Sequence, residues 1–317
     1  MDLSKTQVYS VKDRHNLVRI DTLQTPGESE CPPYENPSLD LLAEKMLAAK
    51  KAGSPVVLFY GAHVIKCGLS RYLIWMVENG FATHLASNGA GSIHDFELAC
   101  LGGTSEHVPT AIEDGTFGMW EETGRWMNEA VTAGAQAGLG YGESLYRYVR
   151  EHADRFPNKE DCVFYRAWEM NAPVTYHITI GTDIIHQHPS CNFGALGAAS
   201  GVDFQYFCGS VSQLENGVYL NVGSAVTGAE VFLKALSIAR NQGFPTRHIT
   251  TANFDIIPLG DYRAPVDSGH FHYYYRPRKN VLNRPTSLGG TGLYIEGNHL
   301  QTIPGLYQRL RAGMSGQ

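Results

Sequence analysis

Residues able to do chemistry gather at a few short, glycine-marked points of this chain. The densest is Asn88-Gly89-Ala90-Gly91-Ser92-Ile93-His94-Asp95. It lies between an apolar run, Thr83 to Ser87, and an amphipathic run, Ile93 to Leu101, so it predicts strand, tight turn and helix start. Two glycines let a ligand approach bare backbone. The helix start offers free N–H groups and positive potential to an anion such as a pyrophosphate. His94 and Asp95 fall in the first turn as a titratable pair beside whatever the turn holds. The stretch is not the six-residue dinucleotide fingerprint, and plain turn geometry accounts for its glycines equally well.

In open α/β sheets ligands lie outside the carboxyl ends of the strands, so the residues following each predicted strand belong together. They are Gly61-Ala62-His63 with Lys66; Asn88 to Gly91 with His94 and Asp95; Gly181-Thr182-Asp183 with His186 and His188; Gly223-Ser224-Ala225 with Glu230; Asn253 and Asp255; and Glu296, Asn298 and His299. Lys66 suits a phosphate or, on the bland reading, solvent. Asp183 suits a ribose diol, an Asx-turn being its structural alternative. His186-Gln187-His188 has no evident third ligand, so no metal is expected. The loop from Pro258 to Gly290 carries the turn Asp267-Ser268-Gly269 and the aromatic, basic string His270 to Lys279. With a net charge of −6, that string reads as a substrate-lining or interface loop and not as a nucleic-acid surface.

The elements needed to position these points are legible in outline. Residues 1–37 read as an irregular arm packed on the surface or on a neighbouring subunit, and 38–317 as a single domain. Ser38 caps a helix that ends before Gly53; Pro55 to Tyr60 is an unbroken apolar strand, and a helix follows from Leu69 to Asn79. A helical insertion, Met119 to Ala137 and Tyr141 to Phe156, precedes a strand at Val174 to Ile180 and a helix from about Asp203 to Leu214. Strands at 217–222, 249–257 and 292–295 alternate with helices at 229–241 and 302–310. The fold class is therefore α/β, a Rossmann-like doubly wound, mostly parallel sheet with a helical insertion. Six scattered cysteines without a C-x-x-C pair, no membrane-length apolar run and a polar start predict a cytoplasmic protein with reduced thiols.

From about residue 55 to 310 these motifs, taken in order, resemble the deoxyhypusine synthase family, NAD-dependent enzymes that cleave spermidine and transfer its aminobutyl group. Gly61 to Gly68 and Asn88 to Gly91 with His94-Asp95 are similar to the family's cofactor loops. Thr182-Asp183 is similar to its Thr-Asp-Gly element, and Gly217 to Asn241 to its glycine-turn helix. Asp267-Ser268-Gly269 resembles its Asp-Ser-Gly turn, and Gly292 to Leu310 its last strand and helix. The resemblance implies NAD held by His63, Lys66, Asn88, Gly89, Ala90, Gly91, Asp183, Gly223 and Ser224. It implies a polyamine or related amine bound by Asp267, Ser268 and Glu296, an imine on Lys279, proton transfer by His94, Asp95 and Glu230, and a homotetramer. The chain departs from the family where Glu230 stands for a catalytic histidine, where Lys279 lacks the Trp-Gly-Lys setting, and where Lys66 replaces a small hydroxyl residue. An NAD-using dehydrogenase or lyase acting on an amino acid is the alternative, and a non-catalytic nucleotide-binding protein a third reading.

Overall fold

A computed structural model describes residues 2–315. Along the chain run β1 (Val18–Arg19), α1 (Pro37–Ala52), β2 (Val56–Tyr60), α2 (Ala62–Lys66), α3 (Ser70–Glu78), β3 (His84–Asn88), α4 (Gly89–Leu101) and β4 (Gly103–Thr104). The insertion follows: α5 (Val108–Asp114), α6 (Glu121–Gln136), α7 (Tyr141–Glu151) and α8 (Val163–Glu169). Then come β5 (Val174–His177), α9 (Phe193–Ser212), β6 (Val218–Val222), α10 (Thr227–Asn241), β7 (Thr250–Asp255), α11 (Phe271–Tyr274), β8 (Thr291–Glu296) and α12 (His299–Ser315). No described helix is long and apolar enough to cross a membrane.

Six strands form one all-parallel sheet in the order β5-β3-β2-β6-β7-β8. Counted within the sheet alone this is 3-2-1-4-5-6, the doubly wound dinucleotide-fold order, whose direction of winding reverses between β2 and β6. The apolar runs form strands because both faces are covered. Val56, Leu58 and Tyr60 enter the core on one side, with α1, α3, α4 and α12, while Val57 and Phe59 enter the other, with α9 and α10.

Several boundaries differ from the sequence expectation for identifiable reasons. Asn36, not Ser38, caps α1: its side chain accepts the Leu39 amide at 3.1 Å, with Pro37 just inside. Helix α9 begins at Phe193, ten residues before Asp203, capped by Asn192. Its glycines at 194, 197 and 201 blur the helical period, and tertiary packing overrides their poor propensity. Strand β5 stops at His177 because Ser200 Oγ takes the Tyr176 carbonyl and the Ile178 amide, both at 3.0 Å. The arm packs on its own chain. β1 pairs antiparallel with β4, the Tyr9 amide donates to Met119 O at 2.8 Å, and Glu122 accepts Ser10 Oγ and the Val11 amide.

Candidate functional site

The glycine stretch does not form a free turn. Helix α4 starts directly at Gly89, Asn88 caps it by accepting the Gly91 amide at 3.0 Å, and the strand end and helix start are adjacent residues. A Cβ on Gly89 would run into the carboxylate of Asp183, and one on Gly91 into Ser87 Oγ. The anion at this helix start is therefore the protein's own Asp183 carboxylate, in the field where the sequence places a pyrophosphate. Asp183 is 7 % exposed, and burial pushes its pKa up to about 6. Its Oδ2 has no hydrogen-bond partner and lies 3.8 Å from His186 Nε2, which also has none. His186 Nδ1 accepts the Gly181 and Asp183 amides at 3.0 and 3.2 Å, which places its proton on Nε2, facing Asp183.

Asp183 lines a cavity of about 240 Å³ at the carboxyl ends of β2, β3 and β5. Lys66 from α2, Ala90 and His94 from α4, and Thr182 and Asp183 all reach it, so five of the residues drawn from the strand ends meet there. That volume lies below the roughly 300–1,000 Å³ of drug-sized ligand sites. Arg14, Glu97 and Glu106 complete its charged lining. Arg14 comes from the arm and Glu97 from the same face of α4 as His94. Arg14 Nη1 bonds Glu97 Oε1 at 2.8 Å with side chains 3 % and 1 % exposed, and its guanidinium lies 5.5 Å from the Trp120 ring. Glu97 also accepts Thr104 Oγ1 at 2.6 Å and Thr123 Oγ1 at 2.8 Å.

That network sets the tautomer of His94. Thr104 spends its one hydroxyl proton on Glu97, so its oxygen accepts from His94 Nδ1 at 2.8 Å. The proton then sits on Nδ1 and the lone pair of Nε2 is free. Burial pulls the His94 pKa down to about 4, Glu97 opposing and Lys66, Arg14 and His63 reinforcing, so the ring is neutral at pH 7. A neutral imidazole with a fixed tautomer is a hydrogen-bond acceptor at Nε2.

Asp95, expected beside His94, points elsewhere. Its fully buried carboxylate accepts the Val163 and Phe164 amides at 2.9 and 3.0 Å and caps α8, while burial raises its pKa to about 6. Glu230 and Lys279 lie together, but across the sheet from His94. Glu230 pairs with Lys234, accepts Asn280 Nδ2 at 2.9 Å and sits 3.4 Å from Arg276. The Lys234 contact holds it below the usual carboxylate range, opposite to what a proton-donating role needs. Lys279 stacks over Tyr273 and Tyr274, 4.7 and 5.7 Å from the ring centres, and is not part of the cavity wall. Asp267 and Ser268 stand exposed in a surface turn, and Glu296 is exposed with its carbonyl taken by Tyr34 Oη.

The remaining strand ends meet at the winding reversal between β2 and β6. A Cβ on Gly61 would run into Gly223 O, and one on Gly223, at φ +65°, into His299 Nε2. Ser224 Oγ accepts the Gly228 amide at 2.9 Å and starts α10. His299 is buried, its Nδ1 has no partner, and its ring centre lies 6.3 Å from that of exposed His63. Burial, then the His63 charge, bring its pKa down to about 4 against the pull of Asp255. The reversal of winding and the unmet His299 Nδ1 fit a dinucleotide here, while Gly61 and Gly223 are closed by the chain's own atoms; the Asp183-filled start of α4 does not fit its pyrophosphate.

An open parallel sheet of dinucleotide-fold order, with a charged cavity at its carboxyl edge, is the class these features define. No protein-family model matches the sequence, and no curated protein matches it either. Solved structures do share the fold. The arginine dihydrolase ArgZ of the cyanobacterial ornithine-ammonia cycle superposes with a TM-score of 0.52 at 14% identity, over 88% of this chain and 33% of that one. AgrE in ternary complex with ornithine and NAD+ gives 0.51 at 14% identity, over 90% and 34%. A protein from Methanococcus maripaludis S2 described as LOR/SDH gives 0.52 at 14% identity, over 92% and 74%. The chain thus spans about a third of the length of ArgZ and AgrE. The deoxyhypusine synthase family is not among these structures.

Proposed function

We propose that the chain is an NAD-using enzyme acting on an amino acid. The observation that carries this is the cavity's mixed lining: two cationic side chains, Arg14 and Lys66, face three carboxylates, Glu97, Glu106 and Asp183. A polyamine, with positive charge alone, is mismatched to Arg14 and Lys66, whereas a molecule bearing both signs is matched to the whole wall. The placement of Lys279 outside the cavity also takes support from the polyamine-transferase reading. AgrE, which shares the fold, was solved with an amino acid and NAD+.

On this reading NAD lies at the β2/β6 reversal, against His63, Gly223, Ser224 and His299. When bound it supplies a hydride acceptor. The chain's own residues do the rest. Asp183 and Arg14 orient the substrate, His94 Nε2 accepts a hydrogen bond from its amine, and Thr104 with Glu97 keeps that imidazole in the accepting tautomer. Calorimetry should detect NAD binding, and NADH absorbance should rise with at least one amino acid from a panel of amino acids and polyamines. A protein that binds no NAD or NADP, or that reduces it only with polyamines, would refute the reading.

A further inference from the structure

We infer that residues 107–117 are a lid over the charged cavity, hinged at Ser105 and Gly118, and that a ligand enters when this segment swings outward. The inference rests on the cavity being a binding site, and it holds whichever small molecule binds there.

The segment is built around α5 and is tied to the body of the protein only at its ends. Ser105, Glu106 and Gly118 are buried, whereas no residue from 107 to 117 is. Val108 is 42 % and Ile112 61 % exposed, so α5 presses no apolar face into the core. Among the described residues, the hydrogen bonds of 107–117 stay within the segment or reach Met119. The Thr116 and Phe117 amides go to Ala111 O, His107 Nδ1 pairs with Thr110 Oγ1, Thr116 Oγ1 donates to Asp114, and Thr116 O takes the Met119 amide. A helix of seven residues does not hold itself together by propensity. With only local bonds and little apolar burial, the segment belongs to the low end of local stability.

Its two ends, by contrast, are fixed points. Ser105 O accepts the Leu17 amide of the arm at 2.7 Å, and a Cβ on Gly118 would run into Ile184. Both have left-handed backbone, φ +66° at Ser105 and +74° at Gly118, which a residue other than glycine rarely takes. Glu106 Oε1 accepts the Gly118 amide at 3.0 Å, so the chain leaves and rejoins the body at one place, as in an Ω-loop. What the segment covers is the cavity: Val108 and Phe117 are part of its wall, with Ile93 of α4 and Ile184. Moving the two outward widens the cavity, about 240 Å³ as it stands, without disturbing a strand of the sheet. Closed again, they shut water out over a bound molecule.

Thiol labelling of the full chain tests this. Ile93→Cys puts a thiol in the cavity wall at a position 4 % exposed, and Leu98→Cys puts one on the same helix, 0 % exposed and outside the cavity. Both variants are treated with iodoacetamide, and alkylation at the new site is read by mass spectrometry of its peptide. The Ile93→Cys site should react about tenfold or more faster than the Leu98→Cys site. Replacing 107–117 by two glycines removes no buried residue. It should speed the Ile93→Cys site by about tenfold again and leave the Leu98→Cys rate unchanged. Equal rates at the two sites, or an Ile93→Cys rate indifferent to loss of the segment, overturns the inference. The unsubstituted chain gives an independent check: Glu-C endoproteinase should nick it after exposed Glu113 under native conditions while it stays folded, and resistance there also overturns the lid. Neither measurement uses NAD or an amino acid, so the lid and the proposed function fail separately.

Discussion

Replacing Arg14 by methionine removes one partner of an ion pair whose side chains are 3 % and 1 % exposed. Glu97 keeps the hydroxyls of Thr104 and Thr123 but loses its only cation at hydrogen-bond distance. Breaking a buried pair in this way costs about 3–5 kcal/mol, because a charge stays behind uncompensated. The lost stacking on Trp120 adds about 0.5–2 kcal/mol. Water cannot easily relieve Glu97, since the arm is also tied down by its backbone: Leu17 N to Ser105 O at 2.7 Å and Ile20 N to Gly102 O at 2.9 Å. An unfolding entropy of about 2.1 cal/mol/K per residue gives roughly 0.67 kcal/mol/K for a chain of this length, so the ion-pair loss alone lowers Tm by about 4–8 °C.

The decisive comparison is the double variant Arg14→Met/Glu97→Gln. It removes the stranded charge while an amide can still bond both threonines, so it should recover about 2 kcal/mol or more of the single variant's loss. Urea melts followed by far-UV circular dichroism at pH 7 measure both. A single variant that loses less than about 1 kcal/mol, or a double variant no more stable than the single, would refute the view that Glu97 is a buried carboxylate held by Arg14.

Gly89→Ala drives a methyl group into Asp183, so it should cost about 1–3 kcal/mol in urea melts and abolish calorimetric binding in the cavity. Thr104→Val cuts the link from Glu97 to His94, and turnover should fall by about 10²-fold or more with an altered pH profile while NAD binding persists. Lys279→Ala should keep Tm within about 1 °C, as surface changes do, and keep turnover; a borohydride-trapped adduct on Lys279 would reinstate the imine mechanism. Burial raises the Asp203 pKa to about 8, so above the unfolded value near 3.9 the native state holds a proton the unfolded chain has released. Its contribution to stability is complete at low pH and is lost as pH rises through 8, at up to about 1.4 kcal/mol per pH unit, and Asp203→Asn should flatten the urea-melt slope between pH 6.5 and 8.

The strands were readable because a buried parallel strand is an unbroken apolar run, as Val56 to Tyr60 and Val218 to Val222 are. The rule that sites lie beyond strand ends groups Lys66, Ala90, His94, Thr182 and Asp183, and all five line one cavity. Arg14 carried no such signal. It is a lone basic residue in a polar arm, and its partner Glu97 stands 83 residues away. The family resemblance sets Lys279 and Glu230 beside His94, and the winding reversal separates them. Residues following β6 and β7 pack on the opposite face of the sheet from α4, so the two sets cannot share one cavity.

The pairing of His94 with Asp95 failed for a reason already present in the sequence. Consecutive helical residues point about 100° apart, and only those three or four apart share a face. Asp95 therefore turns inward to cap α8, while Glu97, three residues beyond His94, reaches the same wall and, through Thr104, fixes its proton. Reading the stretch as a helix start was correct in kind; extending the helical period through it selects Glu97 over Asp95 as the acid coupled to the imidazole. The coupling also explains why Thr104 is buried next to the docked arm. The strand pair that fastens the arm holds the hydroxyl on which the tautomer depends, so the segment that brings Arg14 to the cavity wall also sets the hydrogen-bond acceptor beside it.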